Sequence, residues 1–125
     1  MAEKKKVLVA EDDKFLAVAL ADKLERDGFQ VIRAVNGEEA LQKAKQELPD
    51  LIILDLIMPH KNGFQVLEEL RLDLETAALK VVVLSNLGQE SDIEKAKALG
   101  ALDYWVKSDT ELKVIAARVK DYLGK

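Results

Sequence analysis

Apolar residues follow two alternating rhythms along this chain. Short unbroken runs such as Val7-Leu8-Val9-Ala10, Leu51-Ile52-Ile53-Leu54 and Val81-Val82-Val83-Leu84 are separated by longer stretches in which apolar residues return every three or four positions. An unbroken run suits a strand buried on both faces, and the three-to-four return suits an amphipathic helix. Strands are predicted on this basis at Lys6–Ala10, Gln30–Ala34, Leu51–Leu54, 79–84 and 101–106. The first helix begins at Asp13, places Leu16, Ala17, Leu20, Ala21 and Leu24 on one stripe, and stops at Gly28; Phe15 and Val18 fall off the stripe. The second covers 38–48 after an Asn36-Gly37 turn, with Ala40, Leu41, Ala44 and Leu48 inward and Pro49 ending it. The third carries Phe64, Val66, Leu67, Leu70 and Leu74, and the fourth spans 89–99 before Gly100. Ser108, Asp109 and Thr110 offer caps to the fifth, whose inner side holds Leu112, Ile115, Ala116, Val119, Tyr122 and Leu123.

Five strands alternating with five helices predict an α/β fold, a doubly wound parallel sheet with right-handed crossovers. A chain of 125 residues is expected to form one domain over 1–125. In such sheets the ligand sits beyond the carboxyl ends of the strands, where the strand order reverses. The strand at Gln30–Ala34 ends in no functional group and is expected at an edge. The other four end in Glu11 and Asp12, Asp55, Ser85 and Lys107.

Any one of these groups alone is an ordinary cap or surface charge, but the set is not. Carboxylates brought within a few ångströms repel at roughly 4 kcal/mol per close pair at an effective dielectric of about 20. Something positive is needed, either the Lys107 ammonium or a divalent cation. The chain has no cysteine and only one histidine, His60, so a sulfur or imidazole cage is excluded. Carboxylate oxygens in a shallow, wet site favour Mg²⁺ over Ca²⁺. A cation, a lysine and a hydroxyl around one aspartate suit phosphoryl transfer, with Asp55 as nucleophile. Glycine-rich phosphate cradles are missing, so a phosphorylated side chain is the expected substrate rather than a nucleotide.

Charge narrows the partners. A formal charge of −4 gives no general reason to bind nucleic acid, and no apolar run spans a bilayer. The start Met1-Ala2-Glu3-Lys4 lacks the apolar segment of a secretory leader, so a cytoplasmic location is expected.

Val7-Leu-Val-Ala-Glu11-Asp12-Asp13, Leu54-Asp55-Leu-Ile-Met-Pro59-His-Lys-Asn-Gly63 and Tyr104-Trp-Val-Lys107, in this order and spacing, resemble the receiver domain of two-component response regulators. The resemblance runs from Val7 to about Leu123. It implies a flavodoxin-like, five-stranded sheet in the order 2-1-3-4-5. It also implies that Asp55 accepts a phosphoryl group from a sensor histidine kinase or a histidine phosphotransfer protein. Asp12 and Asp55 would ligate Mg²⁺, with Glu11 acting through water and the backbone carbonyl of Ile57 as a further ligand. Lys107 would pair with the phosphoryl oxygens, Ser85 would swing in to bond one of them, and Tyr104 would be the aromatic switch. The implied output to a separate effector is the face of helix 4, strand 5 and helix 5, on a monomer or a phosphorylation-dependent dimer, with no external substrate turned over. Phe15 and Val18, beside the acidic pair, are candidates for kinase docking or simply a helix face.

Four positions depart from the family pattern. Ser108 stands where proline normally follows the lysine through a cis bond; before serine, cis costs about 2.5 to 4 kcal/mol, while trans would place Lys107 differently. Asn86 replaces a small residue. Ile57 and Leu87 are apolar where the family tunes hydrolysis, which predicts a long-lived acyl phosphate. Two rivals stand beside this reading. A Mg²⁺-dependent phosphohydrolase would carry a second aspartate where Ile57 sits. A binding scaffold would not need Asp55 and Lys107.

Overall fold

A computed structural model describes residues 4–124; residues 1–3, part of the leader reading, and residue 125 lie outside them. Five strands, β1 (Lys6–Ala10), β2 (Gln30–Ala34), β3 (Leu51–Leu54), β4 (Val81–Ser85) and β5 (Asp103–Val106), alternate with α1 (Lys14–Arg26), α2 (Gly37–Glu47), α3 (Gly63–Leu72), α4 (Glu90–Ala98) and α5 (Leu112–Leu123). All pairings are parallel and the order is β2-β1-β3-β4-β5, the arrangement expected. β2 lies at an edge.

Successive side chains of a strand face opposite ways, and here both faces are apolar. Val7, Val9, Leu51, Ile53, Val82, Leu84 and Trp105 pack with Leu20 and Leu24 of α1 and Ile115, Ala116 and Val119 of α5. Leu8, Ala10, Ile52, Leu54, Val81 and Val83 pack with Ala40, Leu41 and Ala44 of α2, Val66, Leu67 and Leu70 of α3, and Ala96 of α4. Fully burying an aliphatic side chain is worth about 1.5 to 3 kcal/mol, so a strand sandwiched on both sides holds its register firmly.

Four expectations need correction. Leu48 does not face inward: it is half exposed in the left-handed conformation (φ 45°), because α2 must stop before Pro49 and the chain reverses there into β3. Leu74 is 97% exposed. The buried Thr76 hydroxyl donates to the Leu70 carbonyl at 2.8 Å, closing α3 early and turning Leu74 outward. Ser108 and Asp109 belong to a 3-10 turn, Lys107–Asp109, and the residue before α5 is Glu111, which makes no side-chain cap. Finally, β5 begins at Asp103, two residues later than its apolar run suggested, since Ala101 and Leu102 complete the turn out of α4.

Candidate functional site

The order of strands reverses between β1 and β3, and their register determines what meets there. Ala10 pairs with Leu54, so Glu11 and Asp55 leave the sheet side by side. Hydrogen bonds from the Asp55 amide to the Ala10 carbonyl and from the Glu11 amide to the Ala34 carbonyl, both 3.0 Å, hold the two strand ends. Carboxylate oxygens of Glu11, Asp12 and Asp55 lie within 4.8 Å of one another. Glu11 and Asp55 are buried, at 3% and 4% exposure, while Asp12 faces solvent. Asp13, which completes the acidic run, serves the helix instead, since its side chain accepts from the Phe15 and Leu16 amides and caps α1.

Lys107 enters from beyond β5. Its Nζ donates to Asp55 Oδ2 at 3.0 Å and lies 2.7 Å from Glu11 Oε1, the latter a charge contact without hydrogen-bond alignment. There is no cis peptide among the described residues, so the chain passes Ser108 in trans; the 3-10 turn that begins at Lys107 still leaves its ammonium against both carboxylates. Asp55 Oδ1 accepts from the Ile57 amide at 3.2 Å, while the Ile57 side chain is 54% exposed.

These contacts shift the ionisation of the site. Burial drives the Glu11 carboxyl from 4.5 up to about 7, against the pull of Lys107 and the Asp13 amide, with the Asp55 charge adding to the rise. Burial draws the Lys107 ammonium down, but the negative charges of Glu11 and Asp55 against it outweigh this and raise it above its ordinary value. A single ammonium therefore serves two buried carboxylates, with a third nearby in water.

Ser85 and Tyr104 meet around the backbone of one residue, Leu87, rather than around the carboxylates. The Ser85 hydroxyl, fully buried, accepts from the Leu87 amide at 3.3 Å, and the Tyr104 hydroxyl donates to the Leu87 carbonyl. Burial and the charges of Asp92 and Asp55 push the Tyr104 phenol up to about 12, with Ser85 easing the shift, so it remains a donor at neutral pH. The sequence carries no signal for Leu87 as a junction, since only its backbone is used.

The donor set fits a hard divalent cation. All side-chain ligand candidates are carboxylate oxygens, and Glu11 Oε1 is buried without a hydrogen-bond partner among the described residues. Two further residues make contacts that no local sequence signal announces, Gly37 beside the site and Arg71 at the opposite end of the sheet. Gly37 presses on the loop after Asp55, and Arg71 binds carbonyls of two loops below α4. The Asn36-Gly37 pair reads only as a turn, and nothing local distinguishes Arg71 from a solvated arginine. Among the described residues no helix is long and apolar enough to cross a membrane.

The family model described as response regulator receiver domain matches residues 7–120. Protein PilH of Pseudomonas aeruginosa is 37% identical over 115 residues, covering 90% of this chain and 95% of that protein. The alkaline phosphatase synthesis transcriptional regulatory protein PhoP of Bacillus subtilis is 40% identical over 121 residues, 97% of this chain but 49% of that protein. Among solved structures, the Francisella response regulator 1452 receiver domain superposes with a TM-score of 0.88 at 30% identity, covering 97% of this chain and 98% of that one. The chemotaxis response regulator CheY4 of Vibrio cholerae gives 0.87 at 25% identity, covering 96% and 99%.

Proposed function

The chain belongs to the response regulator receiver domain family, and from that premise we propose that it takes a phosphoryl group from a phosphohistidine onto Asp55 and thereby switches a protein-binding surface. The observation that carries the reading is a buried carboxylate at the reversal point of the sheet, with Lys107 Nζ at 3.0 Å and two further carboxylates within 4.8 Å. In the transfer, an Asp55 oxygen forms the new P–O bond while the P–N bond breaks. The electron pair leaves with the imidazole nitrogen, which takes up a proton, and an acyl phosphate remains on Asp55.

Mg²⁺, held by Asp12, Asp55, the Ile57 carbonyl and, through water, Glu11, would neutralise charge between these carboxylates and the incoming phosphoryl oxygens. Lys107 is the resident cation of the site and pairs with a phosphoryl oxygen once the group is on Asp55. Ser85 then exchanges its bond with the Leu87 amide for one to the phosphoryl group. Phosphorylation adds about 1.5 to 2 negative charges and three acceptor oxygens, enough to remake one to three bonds of this kind. Tyr104 bonds the carbonyl of the residue whose amide bonds Ser85, so the same event reaches β5 and the face formed by α4, β5 and α5. The shift is one of populations between two forms of that face.

Receiver domains interact with kinases and downstream effectors, and the donor proposed is a sensor histidine kinase or histidine phosphotransfer protein in the cytoplasm. Phe15 and Val18, 90% and 46% exposed on α1 next to the acidic pair, support docking of the donor there. No direct nucleic-acid or membrane contact and no external substrate belong to this reading, and residues 1–125 act in it as one receiver domain. Incubation of the wild type and Asp55→Asn with a small phosphodonor and Mg²⁺ tests it. An acid-stable, hydroxylamine-labile label on wild type alone is expected; no label on wild type would favour a binding scaffold instead.

A further inference from the structure

We propose that Gly37, the first residue of α2, is a positioning residue for the phosphoacceptor site, letting α2 press on the tip of the loop 56–62 and so holding Ile57 against Asp55. The inference rests on the functional reading above and extends it to a part of the fold that contributes no side chain to the site.

The loop is gripped at two points. At its base, a Cβ on Gly63 would lie 2.4 Å from the Asp55 carbonyl oxygen and 2.7 Å from Leu56 Cα, and the Gly63 amide donates to the Leu56 carbonyl at 3.0 Å. At its tip, a Cβ on the buried Gly37 would lie 2.0 Å from the Lys61 carbonyl oxygen and 2.7 Å from Lys61 C. The Gly37 amide also points at the Pro59 carbonyl, at 3.4 Å. That same carbonyl accepts from the Lys61 amide at 2.9 Å, which winds the chain tightly round His60, at φ 68°. A histidine with positive φ in a three-residue turn is uncommon, and such a conformation persists where its surroundings over-determine it. The two glycines supply those surroundings.

Between the grips lies Ile57, whose amide donates to Asp55 Oδ1 at 3.2 Å and whose carbonyl is the proposed backbone ligand. An alanine at 37 would force the Lys61 carbonyl from 2.0 Å out to at least 3.0 Å. The clash is of Cβ with backbone, so no rotamer relieves it. α2 resists movement because Ala40 and Ala44 are buried in the core at 1% and 0% exposure; in the loop Leu56 and Met58 are also buried, but Ile57 between them and the tip at Pro59 and His60 are exposed. The loop therefore yields, and Ile57 moves with it. Groups that orient metal ligands from behind commonly carry effects of about 10- to 100-fold on affinity.

The test uses the full chain labelled with ¹⁵N. In metal-free Gly37→Ala, the Ile57 amide is expected to exchange faster than in wild type while sheet amides stay protected, and Mg²⁺ titration is expected to show about ten-fold weaker binding. Val119→Ala, on the opposite face of the sheet, controls for general destabilisation and should leave Mg²⁺ affinity unchanged. In wild type, the Gly37 resonance should follow the titration with the same affinity as Ile57, a measurement that stands even if Gly37→Ala does not fold. Unchanged Ile57 exchange and Mg²⁺ affinity in folded Gly37→Ala, equal weakening in Val119→Ala, or a Gly37 resonance indifferent to Mg²⁺ would each overturn the inference. If Asp12 and Asp55 themselves do not respond to Mg²⁺, the functional reading falls with it; if they respond and Gly37 does not, only the role of Gly37 is lost.

Discussion

Lys107 Nζ stands 3.0 Å from Asp55 Oδ2 although β4 lies between the strands that deliver them. Adjacent strands are about 4.8 Å apart, so two columns of sheet separate the backbones by about 10 Å. The four-carbon stem of lysine spans much of that gap only by crossing the end of β4. The residue at that end is Ser85, in register with Val106, and a bulkier side chain would stand in the path. The small hydroxyl residue and the long cation are therefore geometric complements.

Removing the ammonium should expose the cost of the carboxylates it serves. In Lys107→Met, Glu11 and Asp55 remain buried with no cation, and the metal-free protein should lose about 3 kcal/mol. Added Mg²⁺ should recover part of the loss by restoring positive charge. Urea denaturation with and without Mg²⁺ measures both effects; a metal-free variant as stable as wild type would contradict the electrostatic account.

The raised Glu11 carboxyl predicts an unusual pH dependence. The folded state holds a proton on Glu11 up to about 7, whereas the unfolded chain releases it near 4.5. The associated stability is fully present below 4.5 and is lost as pH rises through about 7. Metal-free protein should thus weaken across this window by up to about 3 kcal/mol, since each tenfold difference in proton affinity between the two states is worth about 1.4 kcal/mol. Mg²⁺ competes with the proton, so its apparent affinity should rise over the same interval. Denaturation midpoints and Mg²⁺ titrations at about pH 5 and about pH 8 check both trends. Glu11→Gln should flatten them.

The alternation of strands and helices, and the convergence of four strand ends, were legible because both follow from chain order alone. Leu51–Leu54 is bounded by Pro49 before and a carboxylate after, and the strand occupies that span. Leu48 and Leu74 mislead because each continues the helical period past the true end. In one case the end is set by a proline, in the other by Thr76, whose hydroxyl reaches back six residues to the Leu70 carbonyl. Gly37 and Arg71 were illegible for a different reason. Their partners are the backbones of Lys61 and of Leu99 and Gly100, distant in sequence and without side-chain identity.

Arg71 offers a test of how α4 is held. Its guanidinium donates to the Leu99, Ala77, Leu79 and Gly100 carbonyls at 3.0, 2.9, 2.8 and 3.1 Å. α4 buries only Ala96, so a cation at its carboxyl end is a principal anchor. Arg71→Ala should cost about 2 kcal/mol and speed amide exchange in α4 more than in α2. Uniform acceleration in both helices would point to a general loss of stability instead.

Ile57 governs what a water molecule meets at the mouth of the site. Its side chain, two residues beyond Asp55, is 54% exposed and offers nothing to hydrogen-bond. Hydrolysis of an acyl phosphate on Asp55 requires a water aligned with the phosphorus, and an apolar wall neither orients it nor stabilises its developing charge. The Leu87 amide and carbonyl, the other polar groups nearby, are occupied by Ser85 and Tyr104. Ile57→Asn places an amide where it can hold that water. One added hydrogen bond in the transition state, at about 1 kcal/mol, corresponds to about a five-fold faster loss of label. Because the Ile57 amide, not its side chain, bonds Asp55, the substitution should leave the rate of phosphorylation nearly unchanged. Following label on the protein after removal of the phosphodonor separates the two rates. Equal lifetimes in wild type and variant would mean that water reaches the phosphoryl group by a route that Ile57 does not border.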